Sequence, residues 1–377
     1  MFDVVSEDAI REGMATDAYF LRTEEALDHA CRNPHVVAEV TADQFPTGEF
    51  EVLAGLKDAA NLLSGLPVDV HALREGTHFD GGPVMRIEGP YRPFARYETS
   101  LLGFLSYTSA VATAARETKA AAPEKPVLSF GARHIHPAST AALERSALIG
   151  GVDGFSHVAA GETLRREAGG TMPHALVICF GKGNQEDAWR AFDEGVGPDV
   201  PRVALVDTYS DEVDEAVRAA EAIPDLESVR LDTTSSRRGD FRHIAREVRW
   251  ELDARGHEDV GIFVSGGLTP ETVGHLHDVA DGFGVGSYVS NADPVDFALD
   301  IVEVGGEPAA KRGKLSGTKQ VYRTPEGGHY VALDGTEVDG EPLLEPLIED
   351  GKIVREFDIE AAAERCREDA ERVGVTA

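Results

Sequence analysis

RVALVDTYSDEVDEAVRAAEAIPDLESVRLDTTS, residues 202–235, reads as strand, helix and strand. RVALVDTYS (202–210) and SVRLDTTS (228–235) are short apolar runs rich in β-branched residues, which suit strands buried on both faces. Between them, DEVDEAVRAAEAI opens on acids and repeats small apolar residues at helical spacing, with Ser210 placed to cap it. A strand followed by a helix and a second strand folds most simply as a parallel pair with a right-handed crossover. Each run also ends on a carboxylate, Asp207 and Asp232.

The same pattern extends on both sides. Further runs are VLSFGARH (127–134), GFSHVAA (154–160), HALVICFG (174–181), GIFVSGGL (261–268) and GFGVGSYV (282–289), separated by helical stretches. Within HALVICFG, ALVICF (175–180) reads as a buried strand with His174 at its mouth. Thr269-Pro270 opens a helix with a cap and a proline at its first position, and FRHIAREVRWELDARG closes on Gly256. Seven strand-helix units in series favour an α/β barrel over an open doubly wound sheet, although spacing alone does not show closure. Residues 1–115 look different, with a short helix, the apolar HVVAEVTA, a turn-rich DGGPVMRIEGPYRPFARYE and a helix beginning SLLGFLSY. The segment after 304 has strand-like pieces (HYVALDG, GKIVREFD) and a charged helix. The expected organisation is an N-terminal α+β domain (1–115) and a barrel (116–304). A C-terminal segment (305–377) packs back on the first, so that both chain ends build the second domain.

Composition narrows the function. Among 377 residues, 67 acids oppose 36 bases, a formal net charge of −31, and only eight of the bases are lysine. Such a field repels nucleic acid, whose binding needs a basic footprint. The acids are spread along the chain, which suits a surface kept hydrated at high salt, where screening removes self-repulsion. No run of about 18 apolar residues is present, so no membrane span is expected. The N-terminus lacks the basic and apolar regions of a signal peptide, and the three cysteines form no CxxC pair, so a cytoplasmic protein without a disulfide framework or cysteine zinc site is expected.

Catalytic groups of a barrel gather where strands end. Here those positions hold Arg133, His157, Asp207, Asp232, Ser265-Gly266-Gly267 and Gly284-Val285-Gly286-Ser287. The two glycine turns follow late strands, where backbone N–H groups can hold a phosphate and glycine lets the backbone approach it. Asp207 and Asp232 suit ribose hydroxyls or Mg²⁺ as well as they suit helix capping. Arg133 and Arg230 can fork onto a carboxylate or phosphate, or pair with one of many acids. His134 and His136 form an HxH pair without an apparent third ligand. Taken alone, His174 is most simply a core histidine, constrained by Pro173 before it.

In order, TDAYF (16–20), RYETSLLGFLSY (96–107), SFGARHIHPA (129–138), GGTMPHALV (169–177), VALVDTYSDE (203–212), VRLDTTSSRRGD (229–240), VSGGLTPETV (264–273), FGVGSYVSNAD (283–293) and KRGKLSGTKQVYR (311–323) resemble the nicotinate phosphoribosyltransferase family, most closely its archaeal-type members. The resemblance implies a type II phosphoribosyltransferase barrel. It implies transfer of phosphoribosyl from 5-phosphoribosyl 1-diphosphate to nicotinate, giving nicotinate mononucleotide and diphosphate for NAD biosynthesis, coupled to ATP hydrolysis and using Mg²⁺. It further implies that Tyr19 stacks on the pyridine ring from a neighbouring subunit, in a homodimer or larger assembly, and that Phe130 forms the opposing face. Arg133 lies beside base and phosphates, and Arg230 precedes the acid Asp232 by two positions. By the same resemblance, Asp207 and Asp232 serve ribose, Mg²⁺ and diphosphate. Ser265, Gly266, Gly267, Gly286 and Ser287 hold the 5′-phosphate, Lys311 and Arg312 lie near the dimer interface, and His174 takes a phosphate from ATP. Two alternatives stand beside it. Quinolinate phosphoribosyltransferase releases CO₂, uses no ATP and needs extra cations for a second carboxylate. A non-catalytic phosphoribosyl-binding barrel would keep the glycine turns without needing His174, Asp207 or Asp232.

Overall fold

Residues 202–231 fold as strand, helix and strand: Val203–Leu205, Glu212–Ala222 and Ser228–Leu231. The strands pair in parallel with Leu205 opposite Arg230. The helix cap is Asp211 rather than Ser210, its side chain accepting from Val213 N at 3.1 Å. Ser210 lies one position before that cap, and its N–H donates to Glu215 at 2.8 Å. The computed structural model describes residues 2–42, 44–46, 50–232, 239–324 and 328–372, so residues 233–238 of the expected strand and motif lie outside it. By contacts the chain divides into two compact units.

One unit comprises 117–148 and 152–291. Its sheet has six parallel strands in the order Gly154–Phe155, Val127–Ser129, Gly282–Val285, Gly261–Ser265, Ser228–Leu231 and Val203–Leu205. This is sequence order wrapped into a ring and left open between the first and last strands named. Among the described residues no strand bridges that seam, so pairing does not close a barrel. The expected strand at 174–181 would have lain in that part of the chain, and it is a helix, His174–Phe180. Only Val177 of the helix is fully buried, while Ile178 is 54% exposed and Cys179 and Phe180 also face solvent. A strand covered on both faces cannot show that pattern. A short apolar run has no periodicity that separates it from a helix, and here Pro173 precedes a helical turn that Gly181 ends at φ +89°. Likewise 154–160 is strand only at Gly154–Phe155, after which His157 caps the helix Val158–Leu164 by accepting from Ala160 N at 3.2 Å. Thr269 caps Pro270–Leu276 in a capping box with Thr272, as its sequence predicts. The helix Phe241–Asp253 ends before Gly256, which takes φ +82°.

The other unit comprises 1–116, 149–151 and 292–376. Strands from both chain ends share one antiparallel sheet, in the order Glu307–Pro308, Phe297–Val304, His35–Ala42, Pro83–Pro90, Asp69–Ala72, Glu345–Glu349 and Lys352–Ile353. The turn-rich 80–98 stretch thus contains a strand, because Val84, Met85 and Ile87 bury into the core with Val36, Val40, Leu56, Leu63 and Leu101. Among the described residues, no helix is long and apolar enough to cross a membrane.

Candidate active site

In the parallel-sheet unit, polar residues collect at the carboxyl ends of the strands, where crevices of α/β sheets bind ligands. Phe130 follows Ser129, Asp232 follows Leu231, Ser265 ends its strand, and Gly286 follows Val285. They line a cavity of about 830 Å³ together with Arg133, Arg230, Gly266, Gly267 and Ser287. The helix start adds Thr171 and Pro173 to its wall.

His174 stands between the two strand-end carboxylates. Its Nε2 lies 2.9 Å from Asp207 Oδ1, and its Nδ1 lies 3.8 Å from Asp232 Oδ2. The hydrogen bond to Asp207 raises the imidazole pKa above its ordinary 6.5, against the opposing effect of burial. The Asp207 side chain is 1% exposed, and its Oδ2 accepts from Asp232 N at 2.6 Å. Asp232 is more open, with its side chain 29% exposed and its Oδ1 accepting from Ser265 Oγ at 2.5 Å. Neither aspartate caps a helix, since Asp211 and Asp240 cap the helices that follow them. Asp232 is therefore the carboxylate of the pair that reaches the cavity.

Arg230 is committed inside the site rather than to a surface acid. One guanidinium nitrogen donates to the Thr171 hydroxyl, another lies 3.6 Å from Asp232 Oδ2, and its Cζ sits 5.9 Å from the Phe130 ring centroid. Burial lowers its pKa, with Asp232 and Asp207 pulling the other way, and an arginine stays charged regardless. The Phe130 ring leans on Phe263 at 6.1 Å and fills the space over Gly284, where a Cβ would overlap it. Gly266 takes φ +93°, and a Cβ there would overlap the carbonyl oxygen of Asp232. Gly284 thus makes room for the Phe130 ring, and Gly266 for the Asp232 backbone. His134 lines the cavity, whereas His136 caps a turn by accepting from Ala138 N at 3.2 Å. Among the described residues no group of three metal-ligating side chains forms.

Tyr19, Lys311 and Arg312 belong to the other unit. Tyr19 is 57% exposed on the helix Ala18–His29, and Arg312 is exposed. Lys311 Nζ lies 2.7 Å from Asp300 Oδ1. Tyr19 and Lys311 share a neighbour, Glu98, which the sequence did not single out. Burial and Asp300 push its carboxyl up to about 7, and Lys311 counters them. Thr171 was also passed over as a contact, although it sits inside a stretch that carries the motif.

Against known families, residues 17–109 match the quinolinate phosphoribosyl transferase N-terminal domain and residues 111–300 its C-terminal domain. The chain belongs to the quinolinate phosphoribosyl transferase family. A nicotinate phosphoribosyltransferase of Mycobacterium tuberculosis is 29% identical, covering 89% of this chain and 81% of its own. The resemblance seen in the motifs is thereby shown at the level of named relatives. The crystal structure of a nicotinate-nucleotide pyrophosphorylase from Pyrococcus furiosus superposes with a TM-score of 0.95 at 49% identity, covering 100% of this chain and 99% of that one. Human nicotinic acid phosphoribosyltransferase has the same fold, with a TM-score of 0.75 at 21% identity over 95% and 94% of the two chains. In this phosphoribosyltransferase family, the cavity at the strand ends is the natural place to look for the reaction.

Proposed function

We propose that this chain transfers phosphoribosyl from 5-phosphoribosyl 1-diphosphate to nicotinate, forming nicotinate mononucleotide and diphosphate, with ATP hydrolysis coupled through His174. The observation that carries this reading is the seat of His174, held by Asp207 on one nitrogen and facing cavity-lining Asp232 with the other. The pyridine nitrogen attacks the anomeric carbon as diphosphate departs, through a cationic, oxocarbenium-like state that the nearby Asp232 carboxylate stabilises. Phe130 and Arg230 offer a flat aromatic face and a fixed cation to a carboxylated ring. Nε2 is occupied by Asp207, so Nδ1 is the nitrogen that attacks the γ-phosphorus of ATP. The N–P bond forms, the bond to ADP breaks, and water later hydrolyses the phosphohistidine. Mg²⁺ suits Asp232 better than Asp207, because it binds through one or two carboxylates plus substrate phosphates and Asp232 lines the cavity while the Asp207 side chain is 1% exposed. Bound there, it would neutralise phosphate charge.

The ring-like strand order supports reading this unit as an α/β barrel open at one seam. Tyr19 and Lys311 are assigned to a homodimer or larger assembly, in which a second copy presents them to the base and phosphates.

Quinolinate is the second reading, favoured by the name of the matching family and by the Pyrococcus furiosus relative. Against it, Arg133 and Arg230 are the only Lys or Arg residues among the described ones lining the cavity. A second carboxylate would ask for more. Purified protein should be assayed with nicotinate, quinolinate and nicotinamide, with and without ATP. ATP-stimulated turnover of nicotinate is expected. ATP-independent turnover of quinolinate alone would overturn the proposal.

A further inference from the structure

We infer that Glu215 is a positioning residue that holds His174 and Asp207 in register through one buried carboxylate. The inference rests on the reading that this pair works in the reaction. Glu215 lies in the first turn of Glu212–Ala222 and is fully buried. Its Oε2 accepts from Thr208 N at 3.0 Å, and its Oε1 from Tyr209 N at 2.9 Å and Ser210 N at 2.8 Å. Three successive amides directly after Asp207 therefore end on a single side chain. Such a loop has no sheet ladder to fix it, so its geometry follows the carboxylate.

The fourth donor extends the reach of Glu215 to the histidine. Gln185 Nε2 donates to Glu215 Oε1 at 3.1 Å, and Gln185 Oε1 accepts from Gly183 N at 2.8 Å. Gln185 is 2% exposed and opens the helix Gln185–Gly195, just past the turn that ends the His174–Phe180 helix. One carboxylate thus anchors the loop behind Asp207 and the turn behind the helix of His174. Both flank the 2.9 Å bond between these residues. Glu215 touches neither the cavity nor the reacting nitrogen, and it acts through backbone.

The test compares wild type with Glu215→Gln and Gln185→Ala, all at a temperature where each is folded. Glutamine keeps one acceptor oxygen but turns an NH₂ toward donors. Alanine at 185 severs only the link to the 183 turn. Steady-state kinetics on whichever base the wild type turns over is read together with amide hydrogen exchange by mass spectrometry. Exchange should rise at 207–210 in Glu215→Gln and at 181–185 in Gln185→Ala. The expected kinetic result is a fall in kcat of about 10²-fold for Glu215→Gln and several-fold for Gln185→Ala, with KM for the base near wild type. A folded variant with raised exchange but wild-type kcat overturns the positioning role, and unchanged exchange overturns the anchoring. Should Glu215→Gln not fold, Gln185→Ala decides by the same criteria. A wild type that turns over neither nicotinate nor quinolinate overturns the functional reading instead, and the exchange data still decide the anchoring.

Discussion

His174 Nε2 and Asp207 Oδ1 lie 2.9 Å apart, and the carboxylate side of that bond is almost wholly out of solvent. This bond is what raises the histidine pKa above 6.5. A histidine whose folded pKa exceeds its unfolded value contributes stability that is fully present below about pH 6.5 and is lost as pH rises through the folded value. Asp207→Asn removes the charge that favours the imidazolium. The stability gap between wild type and Asp207→Asn should therefore be wider at pH 6 than at pH 8.5 in urea denaturation. A gap independent of pH would show that the bond does not favour protonation.

The same geometry predicts where phosphate lands. Incubation with γ-labelled ATP should place label on His174 in wild type. His174→Ala should lose both the label and the ATP stimulation of turnover. Label retained in the variant would remove His174 from the coupling step and leave phosphoribosyl transfer itself untouched.

Gly266→Ala should disturb Asp232 specifically. The residue needs φ +93°, and its Cβ would press on the Asp232 carbonyl oxygen, which is backbone and cannot rotate away. Left-handed strain of this kind costs about 1–3 kcal/mol. A thermal melt should show the loss, and kcat should fall further than stability alone explains, because Asp232 reaches both the cavity and His174. Gly239→Ala is the control, since φ is also positive there (+108°) but a Cβ meets open space. Equal kinetic losses in the two variants would contradict the claim.

Much of this is legible in the sequence. The βα rhythm, the strand-end aspartates and the glycine turns are set by local pattern, and the structure gathers Phe130, Arg133, Arg230, Asp232, Ser265, Gly266, Gly267, Gly286 and Ser287 around one cavity. ALVICF was misread because apolar composition does not say which face is covered, and Ile178 and Phe180 turn out to be exposed. The misreading also gave the sheet a strand too many, and with it an expectation of seven units. Glu215 escaped notice for a different reason. In DEVDEAVRAA it is one acid of several on a helix, and only the fold shows that it turns inward to accept four hydrogen bonds while neighbouring Asp214 stays at the surface.

Glu144, on the helix Thr140–Ile149, is a second inward acid with the opposite consequence. It is fully buried, and burial pushes its carboxyl up to about 7 from an ordinary 4.5, against the neighbouring Ser129 hydroxyl, which lowers it. A raised carboxylate pKa means the folded state holds its proton longer, so the contribution of Glu144 declines as pH rises from 4.5 to 7 and stays low above. The full shift corresponds to about 3 kcal/mol. Glu144→Gln cannot ionise, so its stability relative to wild type should improve by about 2–3 kcal/mol between pH 5 and pH 8.5. Parallel stability curves for the two proteins would show that Glu144 does not titrate as its burial requires.

The net charge of −31 makes the last prediction, about salt. At about 0.1 M salt the Debye length is about 10 Å, long enough for acids on neighbouring helices to repel, and at about 1 M it is about 3 Å. Salt also weakens the favourable pairs, but many of those are exposed helix neighbours such as Arg249–Asp253, Arg255–Glu251 and Arg367–Glu371. Pairs of that kind contribute only a few tenths of a kcal/mol each, so screening them should cost less than relief of the net repulsion returns. Tm should therefore rise with KCl between about 0.1 and 1 M, as the screening length falls to about 3 Å. A Tm that is flat or falls over that range would mean that the local pairs outweigh the net field, and the high-salt reading of this surface would fail.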